Sequence, residues 1–400
     1  LSQVLDELGT QDNTVWRVFL YDVLSSTYKE NPVDLNMAEA YWIYQNQEDN
    51  LLLSTPSGKT GDMSGTTLTL ATGWNFIGSP YPFPLSIDLD PVQFYGPLTY
   101  GLSGESWSPV VTELDPWNGY VVYNRTSSSQ TVTLDPSVTS AGLAARVADQ
   151  EEGWLISLMA SAGEYTDPIN TFGALETADN SLDWHDNPEI TSPGKNLSLF
   201  FEMEDDPVAL QYTSDIRQRD NGLKVWDVYL SNTTGSEVSL SWSHEQPIPS
   251  GIVVQLVDMN TRKVIDLKTA DILELGSIDS RFYRRLNIVS GDETEVAARV
   301  SELLSYIPEE LSLDGNYPNP FNPVTTIRFG LPEPREVRVT VVNLLGQEIT
   351  ELISGWRDMG RHEVVWQGQD RTGKPVASGM YFTVLSDGNK IIVQKMLLLK

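Results

Sequence analysis

The 400-residue chain contains no cysteine, which removes disulfides, thiolate zinc sites and cysteine nucleophiles together. Histidine is nearly absent too: His185, His244 and His362 are the only imidazoles available as ligand or base. Basic residues are scarce, 26 Lys plus Arg against 55 Asp plus Glu, and the formal net charge of −29 repels polyanions, so nucleic-acid binding is excluded as a function class. No apolar run approaches the length of a membrane-spanning helix, and the opening residues LSQVLDELGT have neither an initiator Met nor a basic segment followed by an apolar one. The expectation is a chain with no transmembrane segment and no export signal of its own. Catalytic signatures are missing as well. His244-Glu245 and His362-Glu363 do not continue as H-E-x-x-H, and there is no G-x-S-x-G elbow, so the sequence predicts a protein that is not an enzyme.

What is present points to an all-β chain. The sequence holds 29 Gly, 23 Pro, 11 Trp, 16 Tyr and 11 Phe, with short β-branched or aromatic runs such as WRVFLY at 16–21, YVVY at 120–123, VWDVYL at 225–230, IVVQLV at 252–257, VRVTVV at 337–342 and MYFTVL at 380–385. Asn118-Gly119, Asn221-Gly222 and Asp387-Gly388 offer tight hairpin turns. Tyr21, Tyr28, Leu35, Tyr41 and Tyr44 match Tyr100, Trp107, Leu114, Tyr120 and Tyr123 at a single offset of 79 residues. Residues 1–140 therefore read as two tandem β-rich repeats, the first beginning inside its unit. A polar linker is expected at 141–153 and a β-sandwich over 154–290. A connector follows at 291–310, where Val296, Val300, Leu303, Leu304 and Ile307 have helical spacing. Residues 311–400 carry 10 Lys plus Arg and 9 Asp plus Glu, whereas the residues before them sum to −30. That change of composition, with seven β-like runs in about 90 residues, predicts a small C-terminal Ig-like β-sandwich.

The same 90 residues carry ordered motifs: Asn316-Tyr317-Pro318-Asn319-Pro320-Phe321-Asn322-Pro323, then Thr326-Ile327-Arg328-Phe329, Val341 to Ile349 around Gly346, His362 to Trp366, Pro375 to Phe382 with Gly379 and Tyr381, and Lys395-Met396-Leu397-Leu398-Leu399-Lys400. In this order they resemble the C-terminal sorting domain of proteins exported by the type IX secretion system of Bacteroidetes-related bacteria, in its flagellar-hook-capping-like, Ig-like variety, type A. Val342-Asn343 and Gln347 depart conservatively from the family pattern. The resemblance implies a secreted or cell-surface protein, recognition by the outer-membrane translocon, a cell-surface sortase as a second partner, and a native C-terminus at Lys400. Independently of it, three prolines in eight residues impose extended, donor-poor backbone, so 316–323 reads as a rigid solvent-facing turn, and Gly346, Gly373, Gly379 and Gly388 read as hairpin reversals.

One loop draws attention upstream. Asp179, Asp183, Asp186 and Glu189 lie within eleven residues, and hard oxygen donors of this kind suit Ca²⁺, although the spacing and central Gly of an EF-hand are missing. The alternative is a solvated acidic loop, which is also the reading for Glu202 to Asp206. Trp42, Trp74, Trp107 and Trp117 offer aromatic faces for a sugar platform, against the plainer reading that they fill a core. The upstream region is thus expected to be structural or adhesive, with self-association or a surface glycan as partners. Two alternatives stay open: accessory domains of a secreted hydrolase whose catalytic domain lies before Leu1, or a filament subunit.

Overall fold

A computed structural model describes residues 16–399 except 23–24, 26, 33, 46–60, 62, 102–105, 109, 137–151, 191–195, 204–210 and 221. Residues 141–151 of the linker expected at 141–153 and most of Glu202 to Asp206 therefore lie outside the described residues, as does Lys400. The described chain is all-β apart from one helix. It divides into two compact units. One comprises residues 1–220, 231–249 and 271–280, the other 221–230, 250–270 and 281–400.

In the first unit the chain begins with β1 (Trp16–Asp22), β2 (Thr27–Glu30) and β3 (Trp42–Gln45), an antiparallel sheet of order β2-β1-β3. Next come β4 (Thr66–Leu70), β5 (Gly73–Gly78), β6 (Leu85–Ser86), β7 (Phe94–Gly101), β8 (Ser106–Trp107), β9 (Glu113–Leu114), β10 (Gly119–Asn124) and β11 (Gln130–Leu134). Strands β5-β10-β7-β8 form the main sheet, and β11-β4 and β6-β9 form two small ones. Strand β9 pairs with β6 rather than β10, so Asn118-Gly119 leads into β10 instead of closing a hairpin.

Some residues 79 apart make like contacts. Tyr21 pairs with Tyr28 across β1 and β2, and Tyr100 pairs with Trp107 across β7 and β8. Both ring pairs are edge-to-face at 71°, with centroids 5.3 and 5.2 Å apart. The Tyr41 hydroxyl accepts the Asn36 N–H at 2.8 Å, and the Tyr120 hydroxyl accepts the Asp115 N–H at 2.6 Å. Each tyrosine thereby ties down the loop five residues before it.

Strands β12 (Gly153–Ala162), β13 (Tyr165–Leu175), β14 (Leu197–Glu202) and β15 (Ser214–Gln218) continue this unit, with β14 lying against β12 and β13. Strand β16 (Lys224–Asn232) belongs largely to the other unit; β17 (Val238–Gln246) returns. Strands β18 (Val253–Asp258) and β19 (Lys263–Asp266) leave again, β20 (Ile272–Gly276) returns, and β21 (Arg284–Gly291) leaves for good. One sheet has the order β15-β13-β12-β17-β20, and β16-β21-β18-β19 pair in the second unit. The stretch 154–290 thus contributes to both units, because its consecutive strands alternate between sheets. The strands of both sheets alternate buried and partly exposed positions, as in β16 (Val225 half-buried, Trp226 and Val228 buried).

Helix α1 (Glu293–Ser305) follows, capped by the Asp292 carboxylate, which accepts the Thr294 N–H. Its Val296 and Val300 are buried with Val257, Met259, Val289 and Ile307. Met359, from the module beyond, completes that cluster. The module consists of β22 (Ser312–Tyr317), β23 (Thr325–Leu331), β24 (Arg335–Asn343), β25 (Glu348–Arg357), β26 (Gly360–Trp366), β27 (Gly379–Ser386) and β28 (Ile391–Leu398). Sheets β22-β23-β26 and β25-β24-β27-β28 enclose one core of Leu313, Phe321, Phe329, Val339, Trp366, Met396 and their neighbours. Burial of each large side chain contributes about 1.5–3 kcal/mol, which is what allows so small a module to hold a fixed shape.

Candidate functional site

The sequence-singled motif at 316–323 is assembled against the terminal strand. Pro318, Pro320 and Pro323 lack amide donors, so the backbone there pairs only at an isolated bridge through Phe321 and side chains supply the rest. The Asn316 amide donates to the Pro318 carbonyl at 3.0 Å and to Thr325 Oγ1 at 2.9 Å, and Thr325 in turn donates to the Pro318 carbonyl at 2.8 Å. Asn319 reaches across 78 residues, accepting the Leu397 N–H at 3.0 Å and donating to the Lys395 carbonyl at 3.3 Å. The Phe321 N–H donates to the Leu397 carbonyl at 3.0 Å, and the Leu399 N–H to the Phe321 carbonyl at 2.9 Å. The peptides before Pro318 and Pro320 are cis.

The turn is only partly solvent-facing. Tyr317, 75% exposed, and the residues through Pro320 face water, as do Asn322 and Pro323, but Phe321 is 2% exposed and packs on Trp366 at 5.5 Å. Trp366 meets Tyr381 edge-to-face at 5.2 Å, and the Tyr381 hydroxyl donates to the Ala377 carbonyl. Gly368, at φ +67°, admits the motif: a Cβ there would sit 2.8 Å from the Pro323 carbonyl oxygen. Gly346 occupies the β24–β25 reversal at φ +75°, where the Asn343 side chain accepts two amides and leaves Leu344 and Leu345 67% and 81% exposed. Gly379 does not reverse the chain. It opens β27, paired with Leu398. Lys395 is exposed on β28 and pairs with Phe382. The motif's dependence on Leu397 and Leu399 left no trace in local spacing, because the partners are about 80 residues apart.

The acidic loop is organised differently from a cation site. Asp183 accepts the Asp179 N–H at 2.7 Å and the His185 N–H at 2.7 Å, and its Oδ1 also meets His185 Nδ1 at 2.9 Å. Burial raises the Asp183 pKa, but these bonds outweigh it and hold the carboxyl below its usual range. Asp186, 1% exposed, accepts the amides of Asp183 and Ile216 at 2.9 Å each. Desolvation dominates there and lifts it to about 7. Asp179 lies at the loop's exposed start and Glu189 faces inward, where its Oε1 accepts the Ser198 hydroxyl at 3.0 Å. Among the described residues no group of three or more His, Asp or Glu is placed to hold a metal. The loop is instead pinned by Arg125, which donates to the Asp186 carbonyl at 2.9 Å and to the Asn187 side chain.

The tryptophans form no flat platform. Trp42 meets Tyr100 at 75° and Trp107 at 82°, Trp74 meets Tyr123 at 68°, and Trp117 stands 76% exposed on a turn at φ +69°. Rings at such angles interlock as packing and present no common face. His185 stacks on Trp184 and meets Thr177 Oγ1, and His362 stacks on Phe329 with its Nε2 against the Asp358 carbonyl.

No curated protein matches this chain. Among solved structures it is similar to PorZ, described as an essential bacterial surface component of the type-IX secretion system of Porphyromonas gingivalis, at 12% identity and a TM-score of 0.20. The likeness covers 91% of this chain, which spans about half (49%) of that one, and a TM-score so low establishes no shared fold. Residues 316–399 match the family described as "Secretion system C-terminal sorting domain". The C-terminal sandwich is therefore a type IX sorting domain, which supports a type IX cargo protein.

Proposed function

We propose that the folded C-terminal sandwich, of the Ig-like type A variety, is the export address read by the outer-membrane translocon, and that the β-rich region before it is a non-catalytic structural or adhesive part of a surface-displayed protein. The observation that carries this reading is the closure of the 316–323 turn onto β28 through Asn319 and Phe321, which makes two distant motifs one exposed surface. A reader of that surface senses whether the module is folded, since the two halves meet only in the folded state. A cell-surface sortase acting after export completes the reading.

The test is export of the tagged chain in a type IX host and in the same host lacking the translocon. The expected result is surface protein in the first and periplasmic accumulation in the second. Asn319→Ala, which unlinks the turn without emptying the core, should lower export while the purified protein keeps its near-UV circular dichroism. Unchanged display in the translocon-deficient host overturns the assignment.

A further inference from the structure

The first unit buries two carboxylates that no cation among the described residues neutralises. Asp167 lies on β13, 7% exposed, and Glu189 in the loop before β14. They grip successive residues of one strand: Asp167 Oδ2 accepts the Leu199 N–H at 2.6 Å, and Glu189 Oε1 accepts the Ser198 hydroxyl. The two carboxyls are thereby neighbours, close enough that Asp167, after desolvation, is the main influence raising Glu189 above its usual range. Neither carboxyl has a Lys or Arg among the groups acting on it. Arg125, the cation near Tyr95, is committed to Asp186 and Asn187, and Arg217 to Asp215 at 2.9 Å.

A third polar side chain is brought there by an irregularity of the backbone. Residues three apart on a regular strand face opposite sides. In β13, however, Asn170 pairs with Leu158 and Asp167 with Ala160, so Pro168 and Ile169 together oppose Met159. This bulge turns Asp167 and Asn170 to the same buried side. Asn170 is 0% exposed; its Nδ2 lies beside Asp167 and acts on that carboxyl as a donor, and its Oδ1 has no hydrogen-bond partner. Glu189 Oε2 is likewise unpartnered. Two orphaned oxygens beside two uncompensated acids are costly in a protein interior unless something sits among them.

We propose that Asp167, Asn170 and Glu189 form a buried site for a hard divalent cation, Ca²⁺. All the side-chain donors are oxygens, which suits Ca²⁺ or Mg²⁺ over thiophilic metals, and a desolvated site of irregular geometry favours Ca²⁺ because Mg²⁺ keeps its waters. Bound there, the ion neutralises both acids and fixes β13, β14 and the end of the acidic loop to one another. This site is distinct from the loop carboxylates Asp179, Asp183 and Asp186.

The test uses the full chain, stripped with chelator. Tb³⁺ luminescence excited through the aromatic residues and displaced by Ca²⁺ reads binding, and melting in 1 mM CaCl₂ (about ten times a Kd of roughly 10⁻⁴ M, typical of extracellular sites) against chelator at matched ionic strength reads its coupling to the fold. The wild type should melt a few degrees higher with Ca²⁺. Glu189→Gln should weaken binding at least about tenfold and abolish the shift, whereas Asn170→Asp, which adds a ligand charge, should tighten binding. Asp183→Asn should leave both readouts unchanged. A wild type indifferent to Ca²⁺ means that the acids share a proton and enclose only water, and overturns the site. So does an equal shift in wild type and Glu189→Gln, which reports diffuse screening.

Discussion

Asp186 shows how a single buried carboxyl makes stability depend on pH. Desolvation raises it to about 7 from an ordinary value of 3.8, against the two amides it accepts. Between those values the folded state holds a proton that the unfolded chain has released, so unfolding is favoured as pH rises. The contribution is complete below about pH 4 and lost by about pH 7, with a slope approaching about 1.4 kcal/mol per pH unit inside the window. Asp186→Asn should be less stable at pH 5 but should lose less stability between pH 5 and 7.5 than the wild type; parallel melting curves for the two would remove this account. Phe321 carries a different kind of weight. Phe321→Ala should cost about 3–5 kcal/mol, since it empties the space against Trp366 and loosens the turn from β28. Denaturant unfolding of the full chain, followed by tryptophan fluorescence, checks it.

Elements repeat here with unequal consequences. Tyr41 and Tyr120 make the same hydroxyl bond to an amide five residues back, but Tyr120 is 2% exposed and Tyr41 is half-exposed. Losing a buried partner costs about 1–3 kcal/mol, whereas water replaces an exposed one. Tyr120→Phe should therefore destabilise by about 1–2 kcal/mol and Tyr41→Phe by less than about 0.5 kcal/mol, measured by urea titration; equal losses would mean that burial is not the deciding factor. Helix α1 likewise does more than connect. Met359 closes the cluster around Val296 and Val300, and Arg281 lies 4.4 Å over the Trp356 ring. Met359→Ala should cost about 2–4 kcal/mol and speed proteolysis after Tyr306, which is 70% exposed. Unaltered cleavage there would show that the module and the helix are held by other contacts.

Charge acts at the scale of the whole molecule. The −30 carried before residue 311 repels itself in the compact state, while the sorting module is close to neutral. Sodium chloride raised from about 0.02 to 0.2 M shortens the Debye length from about 20 to 7 Å and should raise the melting temperature of the chain. A melting temperature that falls with salt would mean that surface ion pairs such as Arg338 with Glu348 and Glu351 outweigh the repulsion.

The β class, the sorting motifs and the 79-residue match were legible from residues alone. Each depends on a local pattern: strand alternation, proline and asparagine at fixed spacing, or aromatics at a constant offset. Val296, Val300 and Leu303 likewise announced a helical period, and α1 lies there. What the sequence could not decide was which distant groups meet. The acidic loop looked like a ligand set because its carboxylates are close in the chain, yet backbone amides occupy Asp183 and Asp186 and turn their oxygens inward. Asp167 and Asn170 attracted no notice, since they stand singly in a strand and are joined only by a bulge that no local spacing encodes. The four tryptophans read as a possible platform until packing set their planes at steep angles. Local periodicity is written into neighbouring residues, whereas burial and long-range pairing exist only once the sheets have closed, and in this protein those decide the charge state of the acids and the shape of the sorting surface.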